Sequence, residues 1–170
     1  MVLKVERKGI EKKFFELSQK VVAEQGLSLY DMEYYPGSSE WRIYIFDQKT
    51  DTAVIEDCVS VDKALSPYIE EADWMPENLV LQVSSPGIDR FLKTKEHFER
   101  VVGLNVRLVL AKRLHEDELP GIPKSLKGEK KVVAKLESLD DDGLSLIYRE
   151  QFAFFVSYNE VKKANLEPDV

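Results

Sequence analysis

Leu81-Gln82-Val83-Ser84-Ser85-Pro86-Gly87-Ile88-Asp89-Arg90 is where the chain changes character. Leu79 to Val83 is a short apolar run with the length of a strand, and Pro86-Gly87 turns it. Proline holds one dihedral near a single value and glycine accepts positive φ. Asp89 is suited to accept backbone N–H groups across such a turn. Arg90 carries a planar fork of donors that fits a carboxylate or a pair of carbonyls. Before this stretch, helical and strand patterns are interleaved. After it, nearly every pattern is a strict alternation. The boundary falls within residues 86–95 and divides the chain into 1–90 and 91–170.

Upstream, Ile10, Phe14, Leu17 and Val21 recur at helical spacing, and Lys12, Lys13, Glu16 and Lys20 fill the opposite face. Gly26 stands where a glycine closes a helix. Tyr30, Met32 and Tyr34 then share one strand face, with Asp31 and Glu33 on the other. Pro36-Gly37-Ser38-Ser39 is a turn. Trp41 to Phe46 is apolar on both faces except at Arg42, as a central strand is, and the two strands read as a hairpin. Cys58, Val61, Leu65 and Tyr68 or Ile69 form a second helical stripe, with Asp57 placed to cap its start. Pro76 stops anything helical. Two helices on one face of a three-stranded sheet bury every stripe named.

Downstream, Thr94 to Val102 is a short helical link. Leu104, Val106, Leu108 and Leu110 alternate, as do Val132, Ala134 and Leu136, then Leu144, Leu146 and Tyr148, then Phe152, Phe154 and Val156. Asp140-Asp141-Asp142-Gly143 is a tight turn between two of these runs. A short strand around Ala164 to Leu166 makes five. Short strands at this spacing indicate a small barrel or sandwich, so the expected class is α+β. Residues 112–131 form one long loop.

The 170 residues are 44% hydrophobic and 32% charged, an ordinary globular balance that argues against general disorder. No apolar run approaches the roughly 20 residues of a membrane span. The charged N-terminus has no apolar signal-peptide core. A single cysteine, Cys58, allows no internal disulfide. These features predict a cytoplasmic protein. The net charge of −7 is lopsided: residues 1–90 hold 10 Lys/Arg against 17 Asp/Glu, and residues 91–170 hold 14 of each. Proteins that bind bare nucleic acid broadly are usually basic. An acidic half suits a basic protein partner, because complementary fields speed encounter, or serves only to keep the chain soluble.

Chemistry is sparse. His97 and His115 are the only histidines and lack zinc-like spacing with Cys58. The Asp140 turn lacks the spaced oxygens of a calcium loop. No phosphate-binding glycine motif and no nucleophile elbow occurs. Cys58 reads as a buried, inert thiol. The expectation is no catalytic residue, no cofactor and no metal, and nothing calls for more than a monomer. Two features remain. One is Ser84, Ser85, Pro86, Gly87, Asp89 and Arg90, an interdomain joint, alone or also a partner surface. The other is Lys124, Lys127, Lys130 and Lys131 in the long loop with Lys162 and Lys163, either RNA phosphate contacts or a solvated loop.

The string Val83-Ser84-Ser85-Pro86-Gly87-Ile88-Asp89-Arg90 resembles the signature of the RimP family of ribosome maturation factors. The resemblance continues through His97-Phe98, Val102-Gly103 and Val106-Arg107-Leu108. It returns at Val161-Lys162-Lys163-Ala164-Asn165-Leu166-Glu167-Pro168. Glu24-Gln25-Gly26-Leu27, Asp31-Met32-Glu33 and Glu56-Asp57-Cys58 fit the family's N-terminal domain. Phe91 stands where the family usually has proline, the glycine common before the second helix is absent from Thr52-Ala53-Val54-Ile55, and the loop 112–131 is longer than usual. The resemblance implies an N-terminal α/β domain over 1–90 and a small SH3- or Sm-like barrel over 91–170. It implies a non-enzymatic factor that binds the immature small ribosomal subunit. The partner it implies is the basic small-subunit protein twelve, with contact to nearby ribosomal RNA. The alternative is a general RNA-binding module using the barrel and the lysine loop.

Overall fold

The computed structural model of the chain describes residues 2–3 and 6–169. They form two compact units, residues 6–87 and residues 88–169 together with 2–3.

In the first unit, helix α1 (Gly9–Glu24) leads into β1 (Ser28–Tyr35) and β2 (Glu40–Phe46), helix α2 (Ile55–Glu71) and β3 (Val80–Ser84). The sheet order is β1-β2-β3, with β1 antiparallel and β3 parallel to the central β2. A parallel pair needs a crossover, and α2 supplies it. α1 buries Phe14, Val21 and Val22, with Leu17 and Ile10 at the margin. Ser18 joins the buried face because its Oγ donates to the Phe14 carbonyl at 2.7 Å. Gly26, at φ +74°, follows the cap residue Gln25 and closes the helix in the left-handed region. Both helices cover one sheet face, where Phe14 meets Trp41, Ile43, Ile45, Val61 and Leu65.

One local expectation is corrected and another refined. A bulge between Leu29 and Asp31 puts an extra residue into β1. Tyr30 therefore leaves the face of Met32 and Tyr34, and its ring meets Phe46 edge-on at 6.0 Å, outside the main core. Asp57 does cap the start of α2, but from inside the first turn and not from the cap position. The cap residue is Val54, and Asp57 reaches back to accept the Val54 N–H at 3.1 Å.

The second unit holds α3 (Lys95–Glu99), then β4 (Asn105–Leu110), β5 (Lys131–Leu139), β6 (Gly143–Tyr148), β7 (Phe152–Ser157) and, after a short 3₁₀ turn, β8 (Val161–Leu166). The order β7-β6-β5-β4-β8 is antiparallel throughout. This all-β sheet around one core has the SH3- or Sm-like architecture expected, and the chain as a whole is α+β. Inward residues are those of the alternation: Val106, Leu108, Leu110, Val132, Ala134, Leu136, Leu144, Leu146, Phe154 and Val156. Leu104 precedes β4 and is exposed. Val2 is buried in this core, and the Leu3 N–H donates to the Lys93 carbonyl at 2.6 Å.

The loop between β4 and β5 is a packed element. Leu114, Ile122 and Leu126 are buried in the barrel core. Its ends are tied by Leu114 N–H to Glu129 O at 2.9 Å and Gly128 N–H to Leu114 O at 2.8 Å. A solvated, mobile loop would not bury three large side chains.

Candidate partner-binding surfaces

Ser84 ends β3 with its side chain exposed, and Ser85, Pro86 and Gly87 are half-buried. Gly87 has φ +89°, a conformation that other residues adopt only under strain. Ile88 then stands 75% exposed beside an exposed Asp89. The Asp89 carboxylate makes no hydrogen bond or ion pair among the described residues. Its carbonyl instead accepts from Asn165 Nδ2 at 3.0 Å. The expected carboxylate bonds across the turn are replaced by this backbone link.

From there the chain is stitched along β8. Leu166 N–H donates to Arg90 O at 2.8 Å, and Leu92 N–H to Ala164 O at 2.9 Å. These bonds flank the Phe91–Asn165 bridge. Phe91's own N–H is outside this ladder pattern, so a proline's missing donor would cost the ladder nothing. Arg90 is buried at 8% exposure and offers a partner little surface, whereas Ile88 and Asp89 are available to one.

The lysines separate into two groups. Lys124, Lys127 and Lys130 are exposed in the packed loop, and Lys127 pairs with Glu116 at 2.9 Å. Lys131 belongs to β5, and Lys162 and Lys163 lie inside β8 rather than beside it. In register, Lys131 and Lys163 both face Val109, from opposite sides of β4. Two strand spacings put their backbones roughly 10 Å apart. Lys162 is the extra residue of a bulge opposite Val109 and Leu110. With Val161 and Ala164 buried, both β8 lysines turn outward. Sequence separation hid this row, since its members are 32 residues apart.

Other candidates resolve into structure. His97 is buried, and its Nδ1 accepts from the Lys93 and Thr94 N–H groups at 3.0 and 3.3 Å. Thr94 Oγ1 accepts the His97 N–H in return, which caps α3. Asp140 Oδ1 accepts from Asp142 and Gly143 N–H at 2.8 and 3.0 Å, which accounts for the turn. No group of three or more potential metal ligands occurs among the described residues. Among the described residues no helix is long and apolar enough to cross a membrane. Cys58 is half-buried, not fully buried, and burial and then the neighbouring Asp57 push its thiol upward.

Sequence reading missed an apolar surface at the start of α2. Val54, Ile55 and Val59 are 55%, 80% and 44% exposed. They stand beside the core stripe of Val61 and Leu65, and the only signal was a run of apolar residues too wide for that stripe.

Residues 17–89 match the family model described as the RimP N-terminal domain. The match begins in α1, spans the whole three-stranded sheet and ends just past the Pro86-Gly87 turn.

Proposed function

We propose that the chain, which carries a match to the RimP N-terminal domain over residues 17–89, is a ribosome maturation factor of that family that binds the immature small ribosomal subunit and assists its assembly. In this reading it engages a basic ribosomal protein through its acidic N-terminal domain, residues 1–90, and the barrel over 91–170 assists. The observation that carries the reading is the charge around α2 and β3. Residues 50–87 contain eight carboxylates and a single lysine, Lys63. Such a field attracts a basic protein and repels a polyphosphate. The factor acts by binding, without catalysis, cofactor or metal, as a monomer in the cytoplasm. Ser84, Ser85, Pro86 and Gly87 shape the joint, and Asp89 with Ile88 supplies contact.

Cosedimentation with immature small, mature small and large subunits tests this. Selective retention on immature small subunits that survives moderate salt is expected, and Asp89→Ala with Ile88→Ala should weaken it. Equal, salt-sensitive retention on all three would overturn it.

One observation favours a second reading, RNA contact through the barrel: the outward row of Lys131, Val109 and Lys163. Each phosphate contact steepens the fall of affinity with salt. Changing Lys131 and Lys163 to Gln should then lower the salt slope for a single-stranded RNA by about 1.4. An unchanged slope removes this reading.

A further inference from the structure

The two edges of the N-terminal sheet are not alike. β1 carries Asp31 and Glu33 and a bulge, devices that discourage another strand from pairing. β3, Val80-Leu81-Gln82-Val83-Ser84, has no charge, no proline and no register shift. Among the described residues it pairs only with β2, so its other edge presents backbone donors and acceptors. At the carboxyl end of that strand, between it and the start of α2, lies a groove of about 580 Å³. Val54, Ile55, Cys58 and Val59 form one wall, and Val83 and Ser85 the other. Val54, Ile55 and Val59 are the exposed apolar residues noted above.

We infer that β3 and this groove form a docking site for an extended basic segment of a partner protein, which adds to the sheet as a fourth strand. Strand addition places alternate side chains on opposite faces. One set enters the groove against Ile55, Val59 and Cys58, which selects apolar residues. The acidic surroundings select Lys and Arg for the positions outside it. Asp62 lines the groove with Lys63, and Glu56 and Asp57 stand at the adjoining helix start. The amino end of α2 already carries a carboxylate, since Asp57 accepts the Val54 N–H there. That leaves little there to attract an anion. The inference rests on the basic-protein reading above and gives that reading a location.

The test uses the full chain and a labelled ten-residue peptide of alternating valine and lysine. Its controls are the same peptide with proline at every second lysine, and a lysine-only decamer. Fluorescence anisotropy should show the valine–lysine peptide binding about tenfold tighter than either control. Proline removes ladder donors and polylysine lacks groove residues. Ile55→Lys, at an exposed site that leaves the core untouched, should lower peptide affinity about tenfold without altering the circular dichroism melt. Cys58, the only cysteine of the chain, should alkylate more slowly with the peptide bound.

Equal binding of all three peptides, or undiminished binding to Ile55→Lys, would overturn the site and reduce the attraction to charge alone. Displacement of the peptide by a single-stranded RNA, with Cys58 protected by RNA instead, would overturn the choice of partner. Cosedimentation separates this from the parent reading. If the parent protein and Ile55→Lys both sediment with immature small subunits, the site fails and the family role stands. If the peptide binds as expected but the parent protein does not sediment, the site stands and the assembly role fails.

Discussion

Gly143 opens β6 opposite Ser157 of β7. A Cβ there would lie 2.1 Å from the Val156 carbonyl oxygen and 2.8 Å from the Ser157 Cα. Both are backbone atoms held by the ladder, so no side-chain rotation relieves the clash. Gly143→Ala should cost about 3 kcal/mol, at the upper end of overpacking effects, read by denaturant unfolding. Tyr35 offers a test in solution. Its hydroxyl donates to Glu33, and that bond, followed by burial and the Glu33 charge, pushes the phenol up to about 12. A folded pKa above the unfolded 10.0 contributes stability that is complete below that value and lost as pH rises towards about 12. Glu33→Ala should show more phenolate than the parent between those limits, and base unfolding should begin at lower pH. Identical ultraviolet titrations would show that the bond does not hold in solution. Neither interaction was legible beforehand. The glycine read as one of four turn residues, and the tyrosine's partner lies two residues away on the same strand face, where alternation says nothing about hydrogen bonding.

Turns and loops were legible in place but not in conformation. The turn after β6 puts Arg149 and Glu150 at φ +49° and +59°, where a Cβ crowds the following carbonyl. Glu150→Gly should therefore stabilise the chain by about 0.5–1 kcal/mol, the relief of strain less the entropy glycine adds to the unfolded state. A thermal melt reads the difference. The loop between β4 and β5 was recognised by its prolines, glycines and lysines, whereas Leu114, Ile122 and Leu126 are what hold it. Leu114, Ile122 and Leu126 are eight and four residues apart, but Pro120, Gly121 and Pro123 break any helix or strand that would give this spacing a face, so it does not mark them as core. Leu126→Ala should cost about 2–5 kcal/mol, a penalty a solvated loop would not show. The strands and helices themselves were legible because each buries one face, and one-faced burial writes a period into the sequence. The bulges at Leu29/Asp31 and Val109/Leu110 interrupt that period, and there Tyr30 and Lys162 depart from the simple alternation.

The described residues form two hydrophobic clusters, one around Trp41 and Phe14, the other around Leu136, Leu144 and Leu146. Val61→Ala should lower the exchange protection of α2 and β2 amides, and Leu146→Ala that of β5 to β7. Native-state hydrogen exchange should read a loss of about 0.5–3 kcal/mol for the valine, as for a typical single substitution. The leucine should lose about 2–5 kcal/mol, because it leaves the larger cavity. By itself the sequence determined the element order, the α+β class, the acidic first half and the family signature around Pro86-Gly87. Each of these depends on local spacing, composition or a contiguous string. Only tertiary structure decided that Lys131 and Lys163 share a row, that Arg90 is buried while Asp89 is not, and that Val2 belongs to the barrel core. It also decided that α2 and β3 leave an apolar groove beside an unguarded strand edge. Those are relations between residues far apart in the chain. A one-dimensional pattern records which face a side chain takes within its own element, but not what the neighbouring element places opposite it.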